Sequence, residues 1–162
     1  MPLLINKALV EQDSWAFISD AETTTPTAGD VILPLARFVE EQDTLTDREG
    51  NTTFAISGDD DLSLLPADLS SFDVIGIVFP VLRDGRGFSI ATHLRRNGYQ
   101  GQLRALGEVT RDRLDSMSRC GIDAMQVNDL HFNEENVALA FAEMSARYQG
   151  AIDGSRPVYH QK

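Results

Sequence analysis

The chain of 162 residues carries 25 acidic and 14 basic side chains, so its formal net charge is −11, and 42% of its residues are apolar. This length and composition suit one globular domain with a hydrophobic core, and they exclude disordered and collagenous chains. The single cysteine excludes a disulfide framework and a thiolate-only zinc or iron–sulfur site within one chain, and it indicates a reducing compartment.

The first 50 residues are predicted to form an acidic N-terminal β extension followed by a helix. The apolar runs Leu3 to Ile5 and Trp15 to Ile18 favour short strands, and the Thr/Pro/Gly-rich stretch 23–29 favours a loop. Helical spacing of apolar residues behind Pro34 predicts a helix that continues to about Thr44. Residues 1–70 hold 14 acidic and only 3 basic side chains, so this half of the chain carries the net charge.

Residues 51–150 are predicted to form an α/β domain, because strands and helices alternate about every 25 residues. The apolar run Val74 to Phe79 is typical of a strand buried on both faces. The last helix is predicted to begin after Asn133 and to continue along an apolar stripe, through Met144 and Tyr148, that ends before Gly150. The other predicted elements are strands at 53–57, 102–106 and 122–127, a short helix or turn at 62–69, and helices at 88–97 and 110–119.

These units predict an α/β fold whose sheet is mostly parallel and built from βαβ units. Four such units are only half of an eight-fold barrel, so an open three-layer sheet is the favoured architecture, and a half-barrel that dimerises is the alternative. Residues 151–162, which are rich in glycine, proline and polar side chains, are predicted to form a flexible tail.

The loop after the strand 74–79 is the leading candidate for a site, because ligands of parallel sheets bind beyond the carboxyl ends of the strands. Its glycines permit tight turns, its arginines offer planar forks for phosphate, sulfate or carboxylate, and a helix N-terminus follows. The loop is either an anion cradle or a structural turn in which Asp84 pairs with an arginine and caps the helix. The candidate ligand-binding residues are Arg83, Asp84, Gly85, Arg86, Gly87, Ser89 and, in a neighbouring strand, Arg104.

Arg104 lies inside a short predicted strand, where an unpaired charge would be costly. We therefore expect a carboxylate partner, with Glu108, Asp84 and Asp112 as the candidates; a structural salt bridge and ligand anchoring both remain open. If the chain catalyses a reaction by itself, the candidate acids and bases are the titratable groups at the strand ends, Asp84, Glu108, Asp112 and His131.

We expect no metal, no cofactor and no nucleic-acid partner. The three histidines lack the spacing of metal ligands, and the sequence has neither a P-loop nor a dinucleotide-binding fingerprint. Eight arginines between residues 83 and 119 suit bidentate recognition of anions, but the acidity of the chain and the scarcity of aromatic residues in that segment argue against RNA or DNA. Cys120, at a predicted helix end, is expected to be buried and inert.

No membrane association is expected either. The N-terminus has no basic segment followed by an apolar run, and the longest apolar stretch, residues 74–82, is too short to cross a bilayer. We therefore expect a cytoplasmic protein.

Three runs of residues in the α/β domain form a distinctive pattern. They are Phe79-Pro80-x-x-x-Asp84-Gly85-Arg86-Gly87-Phe88-Ser89-x-Ala91-x-x-Leu94-Arg95, Gly98-Tyr99-x-Gly101-x-Leu103-Arg104-Ala105-x-Gly107-x-Val109-x-x-Asp112 and Arg119-Cys120-Gly121-x-Asp123. This pattern resembles a bacterial family of uncharacterised proteins that are described as probable oxidoreductases involved in sulfite reduction. Members of that family are often encoded beside the sulfite or nitrite reductase hemoprotein and the adenylylsulfate reductases. This chain differs from the family pattern at Arg113, where glutamine is common, and at Ile122, where phenylalanine is common.

The resemblance implies an accessory or redox-associated protein of assimilatory sulfite reduction. The Arg83/Arg86 loop and Arg104 would then bind an oxyanion, an adenylylated sulfur compound or the sulfite or nitrite reductase itself. Two alternatives stay open. One is a self-contained lyase, isomerase or hydrolase that acts on an anionic metabolite, and the other is an interaction module without a ligand that docks through acidic residues such as Asp59 to Asp61.

Overall fold

The computed structural model describes residues 1–19, 23–142, 144 and 146–160. Within these residues the strands are β1 (Leu3–Ile5), β2 (Ala8–Val10), β3 (Trp15–Phe17), β4 (Asp30–Pro34), β5 (Thr52–Ile56), β6 (Val74–Phe79), β7 (Gln102–Gly107) and β8 (Ala124–Gln126). The α-helices are α1 (Leu35–Glu40), α2 (Gln42–Leu45), α3 (Arg86–Arg96), α4 (Leu114–Arg119) and α5 (Glu134–Ala142). Short 3₁₀ helices occupy Leu62–Leu64, Leu69–Ser71, Arg111–Arg113 and Val158–His160.

The eight strands form one sheet in the order β2-β1-β8-β7-β6-β5-β4-β3. Strands β3 to β8 run parallel to one another, whereas β1 pairs antiparallel with both β2 and β8. The predicted α/β fold, with a mostly parallel sheet and a small N-terminal β extension, is therefore confirmed. Because β3 to β8 are adjacent in chain order, the sheet has no switch point, and its architecture is the alternative one, a curled half-barrel.

The connection between the two edge strands requires this curl. Only four residues, 11–14, join β2 at one edge to β3 at the other. A chain of that length spans at most about 18 Å, whereas the edge strands of a flat eight-stranded sheet would lie about 33 Å apart. The sheet must therefore bend until its edges approach each other, and residues 11–14 cross its concave side.

The sheet is apolar on both faces, and the helices cover only the convex one. Alternate residues of β6 point in opposite directions: Ile75, Ile77 and Phe79 belong to the main core with the helices, while Val74 belongs to a smaller cluster on the concave face. The smaller cluster contains Ile32, Ala55, Val74 and Leu106, with Trp15, Phe17 and Val78 packed against it. Burial on both faces explains why β6 is a continuous apolar run in the sequence.

The structure differs from the predicted elements in two places. Strands β2 and β4 were not predicted: β2 is too short to show alternation, and the apolar residues of β4 run without interruption into α1. The prediction that the last helix continues to residue 148 is wrong, because α5 ends at Ala142 and both Met144 and Tyr148 are exposed. The chain after α5 instead returns along α4, where Arg147 donates to Asp115 (2.8 Å, Nη2 to Oδ1).

No helix in the described part of the chain is long and apolar enough to cross a membrane.

Candidate functional site

The loops at the carboxyl ends of β5 to β8 are joined to one another by hydrogen bonds. Arg86 Nη1 donates to the carbonyl oxygen of Gly58 (3.0 Å), which links the β5 and β6 loops. Arg113 donates to the carbonyl oxygens of Asp84 (3.1 Å) and Glu108 (2.9 Å), and so links the β6 and β7 loops. The backbone N–H of residue 128 donates to the carbonyl of residue 109, which adds the β8 loop. We call this surface the carboxyl edge, residues 57–64, 80–89, 107–113 and 127–132.

Arg86 is held between two carboxylates of the same chain. Its Nη2 lies 2.7 Å from Asp84 Oδ2, and its Nη1 lies 2.6 Å from Asp59 Oδ1. Asp84 also accepts from the backbone N–H of Arg86 (3.0 Å), so its carboxylate occupies the N-terminal end of α3. The hydrogen bonds from Arg86 lower the pKa of Asp84 to about 2, and Asp84 is therefore charged at neutral pH. These contacts are those of the structural turn described above.

The remaining residues of this loop divide into a packed glycine and exposed positions. A Cβ on Gly87 would lie 2.6 Å from a ring atom of Phe79, so glycine is needed there for helix–sheet packing. A Cβ on Gly85 would meet nothing within 4 Å. Arg83 and Ser89 are exposed, and no hydrogen bond or ion pair joins their side chains to a described residue.

Arg113 is a central residue of the carboxyl edge that the sequence analysis noted only as a departure from a family pattern. Its side chain is buried and stacks on the rings of Phe79 (4.7 Å to the centroid) and Phe88 (5.1 Å). Burial lowers the pKa of Arg113. No local pattern marks this residue, because both rings lie at least 25 positions away in the sequence.

Arg104 does not belong to the carboxyl edge. It lies three residues before the end of β7 on the concave face and is only 3% exposed. The expectation that Glu108, Asp84 or Asp112 pairs with it is wrong: its partner is Asp13, whose two carboxylate oxygens lie 2.7 and 2.9 Å from Nη1. Gln102 accepts two further hydrogen bonds from Arg104. The partner comes from the segment 11–14 because that segment crosses the concave face, a consequence of the curl that the sequence pattern does not contain.

The four candidate acid–base residues do not form a catalytic pair. Asp84 is bound to Arg86, Glu108 is half-buried, and Asp112 and His131 are exposed. In the part of the chain that the structure describes, no hydrogen bond joins any two of these four side chains. The described residues also contain no group of three or more His, Cys, Asp or Glu side chains that could hold a metal ion.

All three carboxylates of the acidic triplet in the β5 loop, Asp59 to Asp61, have partners within the chain. Asp59 pairs with Arg86, Asp60 accepts from the N–H of Ser57 (2.6 Å), and Asp61 accepts from the N–H of residue 63 (2.9 Å). The last of these hydrogen bonds lowers the pKa of Asp61. These carboxylates therefore fix the conformation of the loop as well as making it negative.

The carboxyl edge also exposes large apolar side chains. Leu82 is 57% exposed and Leu130 is 79% exposed, and Val81, Leu62 and Leu64 are exposed as well. Apolar side chains grouped in loops and surrounded by charged residues are typical of protein–protein contact surfaces.

A comparison with protein families matches residues 53–159 of this chain, from β5 through the 3₁₀ helix at Val158–His160, to a family described as bacterial proteins of unknown function, DUF934. No curated protein and no solved structure matches the chain. The matched segment contains the carboxyl edge and covers well over half of the 162 residues. The protein therefore belongs to DUF934, a bacterial family of unknown function.

Proposed function

We propose that this protein is a cytoplasmic accessory protein of assimilatory sulfite reduction that binds the sulfite or nitrite reductase through its carboxyl edge. The pathway rests on the resemblance carried by the Asp84-Gly85-Arg86-Gly87-Phe88-Ser89 run and the two runs that follow it. The mode of action, docking on another protein, rests on the contacts of Arg86, because two carboxylates of the same chain already bind this arginine.

Binding of a free oxyanion is less well supported than docking. The helix N-terminus that would receive an oxyanion already holds the Asp84 carboxylate, and the cation paired with it, Arg86, is shared between two carboxylates. The group of three carries a net charge of −1 at neutral pH. A free anion would have to displace a charged carboxylate that the same chain holds at high effective concentration.

Docking on a protein would use the exposed apolar side chains of the carboxyl edge. Val81 and Leu82 precede the exposed Arg83, and Leu62 and Leu130 extend the apolar surface into the neighbouring loops. Burying a leucine of this exposure contributes about 1–2 kcal/mol to association. Asp60, Asp61, Asp112 and Asp129 surround the apolar residues, so the matching surface of the reductase would have an apolar centre with a basic rim.

The test is a binding titration with the purified reductase hemoprotein from the same bacterium, at low salt. We expect Leu82→Ser combined with Asp112→Lys to weaken the complex at least tenfold, because the first change removes apolar contact area and the second places a positive charge against the basic rim of the partner. The matched control is Leu139→Ser combined with Asp47→Lys, which makes the same changes at exposed positions of α5 and of the loop after α2. Failure of the unmodified protein to bind, or equal weakening by both double variants, would refute the proposal.

A further inference from the structure

A groove of about 660 Å³ lies on the outer side of the helical layer and shares Phe88 with the carboxyl edge. Its walls are α3, the C-terminal end of α4 and residues 149–152. A smaller pocket shares Phe88, Thr92, Arg96 and Cys120 with it and extends it along α3. The volume falls within the range of sites that hold small molecules, about 300–1,000 Å³.

The third wall is fixed by hydrogen bonds to α4. Arg119 Nη2 donates to the carbonyl oxygen of Gln149 (2.6 Å), and the N–H of Ile152 donates to the carbonyl oxygen of Arg119 (3.3 Å). Arg119 also pairs with Asp153 (3.2 Å, Nε to Oδ2). The segment that follows α5 therefore has a defined position against α4, and the groove is a feature of the folded chain.

The lining of the groove is basic, although the chain as a whole carries a net charge of −11. Two guanidinium groups line it, Arg96 and Arg119, and no acidic side chain is among its lining residues. Arg96 is exposed and makes no hydrogen bond or ion pair with any described residue. Arg119 donates hydrogen bonds from Nε and Nη2 to residues 149–155, and its Nη1 makes no hydrogen bond within the described chain.

The other lining groups are apolar or carry a hydroxyl or a thiol. Phe88 and Ile152 supply apolar surface, and Ser116 supplies a hydroxyl group that can donate to an oxyanion. The Thr92 hydroxyl instead donates to the carbonyl oxygen of Phe88 (2.9 Å). Cys120 also lines the groove, and this residue is half-buried where burial was expected.

We infer that this groove binds a small organic anion, a sulfonate or phosphate ester with an apolar remainder. Arg96, whose guanidinium is unpaired within the described chain, holds the oxyanion through two parallel N–H donors. Arg119 adds a single donor, its Nη1, because its other two nitrogens are bound within the chain. Phe88 and Ile152 contact the apolar part. None of the residues that hold the oxyanion belongs to the carboxyl edge, so this site and the docking surface can be tested separately.

The probe is 1-naphthalenesulfonate, followed by ¹H–¹⁵N NMR on the full chain, with the neutral 1-naphthalenemethanol and inorganic sulfate as comparisons. We expect saturable shifts at the amides of residues 92–96, 116–121 and 149–152, and weaker binding of both comparison compounds. Arg96→Gln is expected to weaken binding of the sulfonate about two- to fivefold, the loss of one exposed charge pair. Lys7→Gln removes the same charge from an exposed residue that lines neither the groove nor the carboxyl edge, and it is expected to leave binding unchanged.

A second readout uses Cys120, the single cysteine of the sequence. Saturating 1-naphthalenesulfonate should slow alkylation of Cys120 by iodoacetamide, with half-protection at the dissociation constant found by NMR. The inference is overturned if no shifts appear up to about 10 mM probe, if the shifts lie elsewhere, or if the alcohol binds as well as the sulfonate. Equal affinities of the Arg96→Gln and Lys7→Gln variants would overturn it too.

Discussion

The ion pair between Asp13 and Arg104 gives the sharpest test of how the half-barrel is held. Asp13→Asn keeps the size of the side chain and one acceptor oxygen but removes the charge that faces the buried guanidinium. At a charge separation of about 4 Å and an effective dielectric constant of about 20, the Coulomb energy is about 4 kcal/mol. Asp13 is 26% exposed, so solvent screens part of this attraction. We expect Asp13→Asn to lower the free energy of unfolding by about 2–3 kcal/mol.

The assay is urea unfolding followed by the fluorescence of Trp15, the single tryptophan, whose backbone N–H donates to Asp13 Oδ1 (3.2 Å). Asp47→Asn, at an exposed position, is the matched control because it makes the same change in net charge. Combining Asp13→Asn with Arg104→Met should cost less than Asp13→Asn alone, since no unpaired charge then remains buried. If Asp13→Asn stays within about 0.5 kcal/mol of Asp47→Asn, the pair does not stabilise the curled sheet and the reasoning fails.

Three further predictions concern the carboxyl edge. Gly87→Ala forces a methyl group onto a buried phenyl ring and should cost about 1–3 kcal/mol in thermal unfolding, whereas Gly85→Ala, with open space around it, should not destabilise the protein. Because the pKa of Asp84 is depressed, its ionisation stabilises the fold above pH 3.8, and this contribution is lost as the pH falls through about 2. Carboxyl ¹³C NMR should show that the pKa of Asp84 is higher in the Arg86→Gln variant. An unchanged pKa would contradict the assigned pairing. Arg113→Ala removes two hydrogen bonds to backbone carbonyls and two ring contacts, so we expect a loss of about 2–3 kcal/mol in chemical unfolding, and a loss below about 0.5 kcal/mol would contradict the stacked geometry.

Local sequence patterns were sufficient for the elements that are buried on both sides or bounded by clear signals. Strand β6 was predicted at its observed bounds, because every position except Gly76 is apolar. Helix α3 ends at Arg96, one residue before the predicted end at residue 97, and Gly98, whose φ of 91° favours glycine, follows it closely. The end of the last helix was missed because the helical spacing of Met144 and Tyr148 is also compatible with an exposed chain. The spacing of apolar residues shows that they could share one face of a helix, but it does not show whether another segment covers that face.

The candidate loop was found from the sequence, because sites follow parallel strands. One of its two open interpretations, a turn in which Asp84 pairs with an arginine, agrees with the contact between Asp84 and Arg86, which are two residues apart. The third member of the group, Asp59, was not predicted, because its contact with Arg86 depends on the approach of the β5 loop 27 positions away. The role of Arg113 depends likewise on two rings from other elements.

The sequence by itself determined the α/β class, the parallel pairing of the central strands and the position of the loop at their carboxyl ends, because each depends on spacing and composition over a few residues. Tertiary structure alone decided that the sheet curls and that Asp13 is the partner of Arg104. It also decided that Arg96 and Arg119 line one groove with residues 149–152. These features arise from contacts between segments distant in the chain. The choice of partner there is set by the path of the backbone, which the local pattern of apolar and charged residues does not encode.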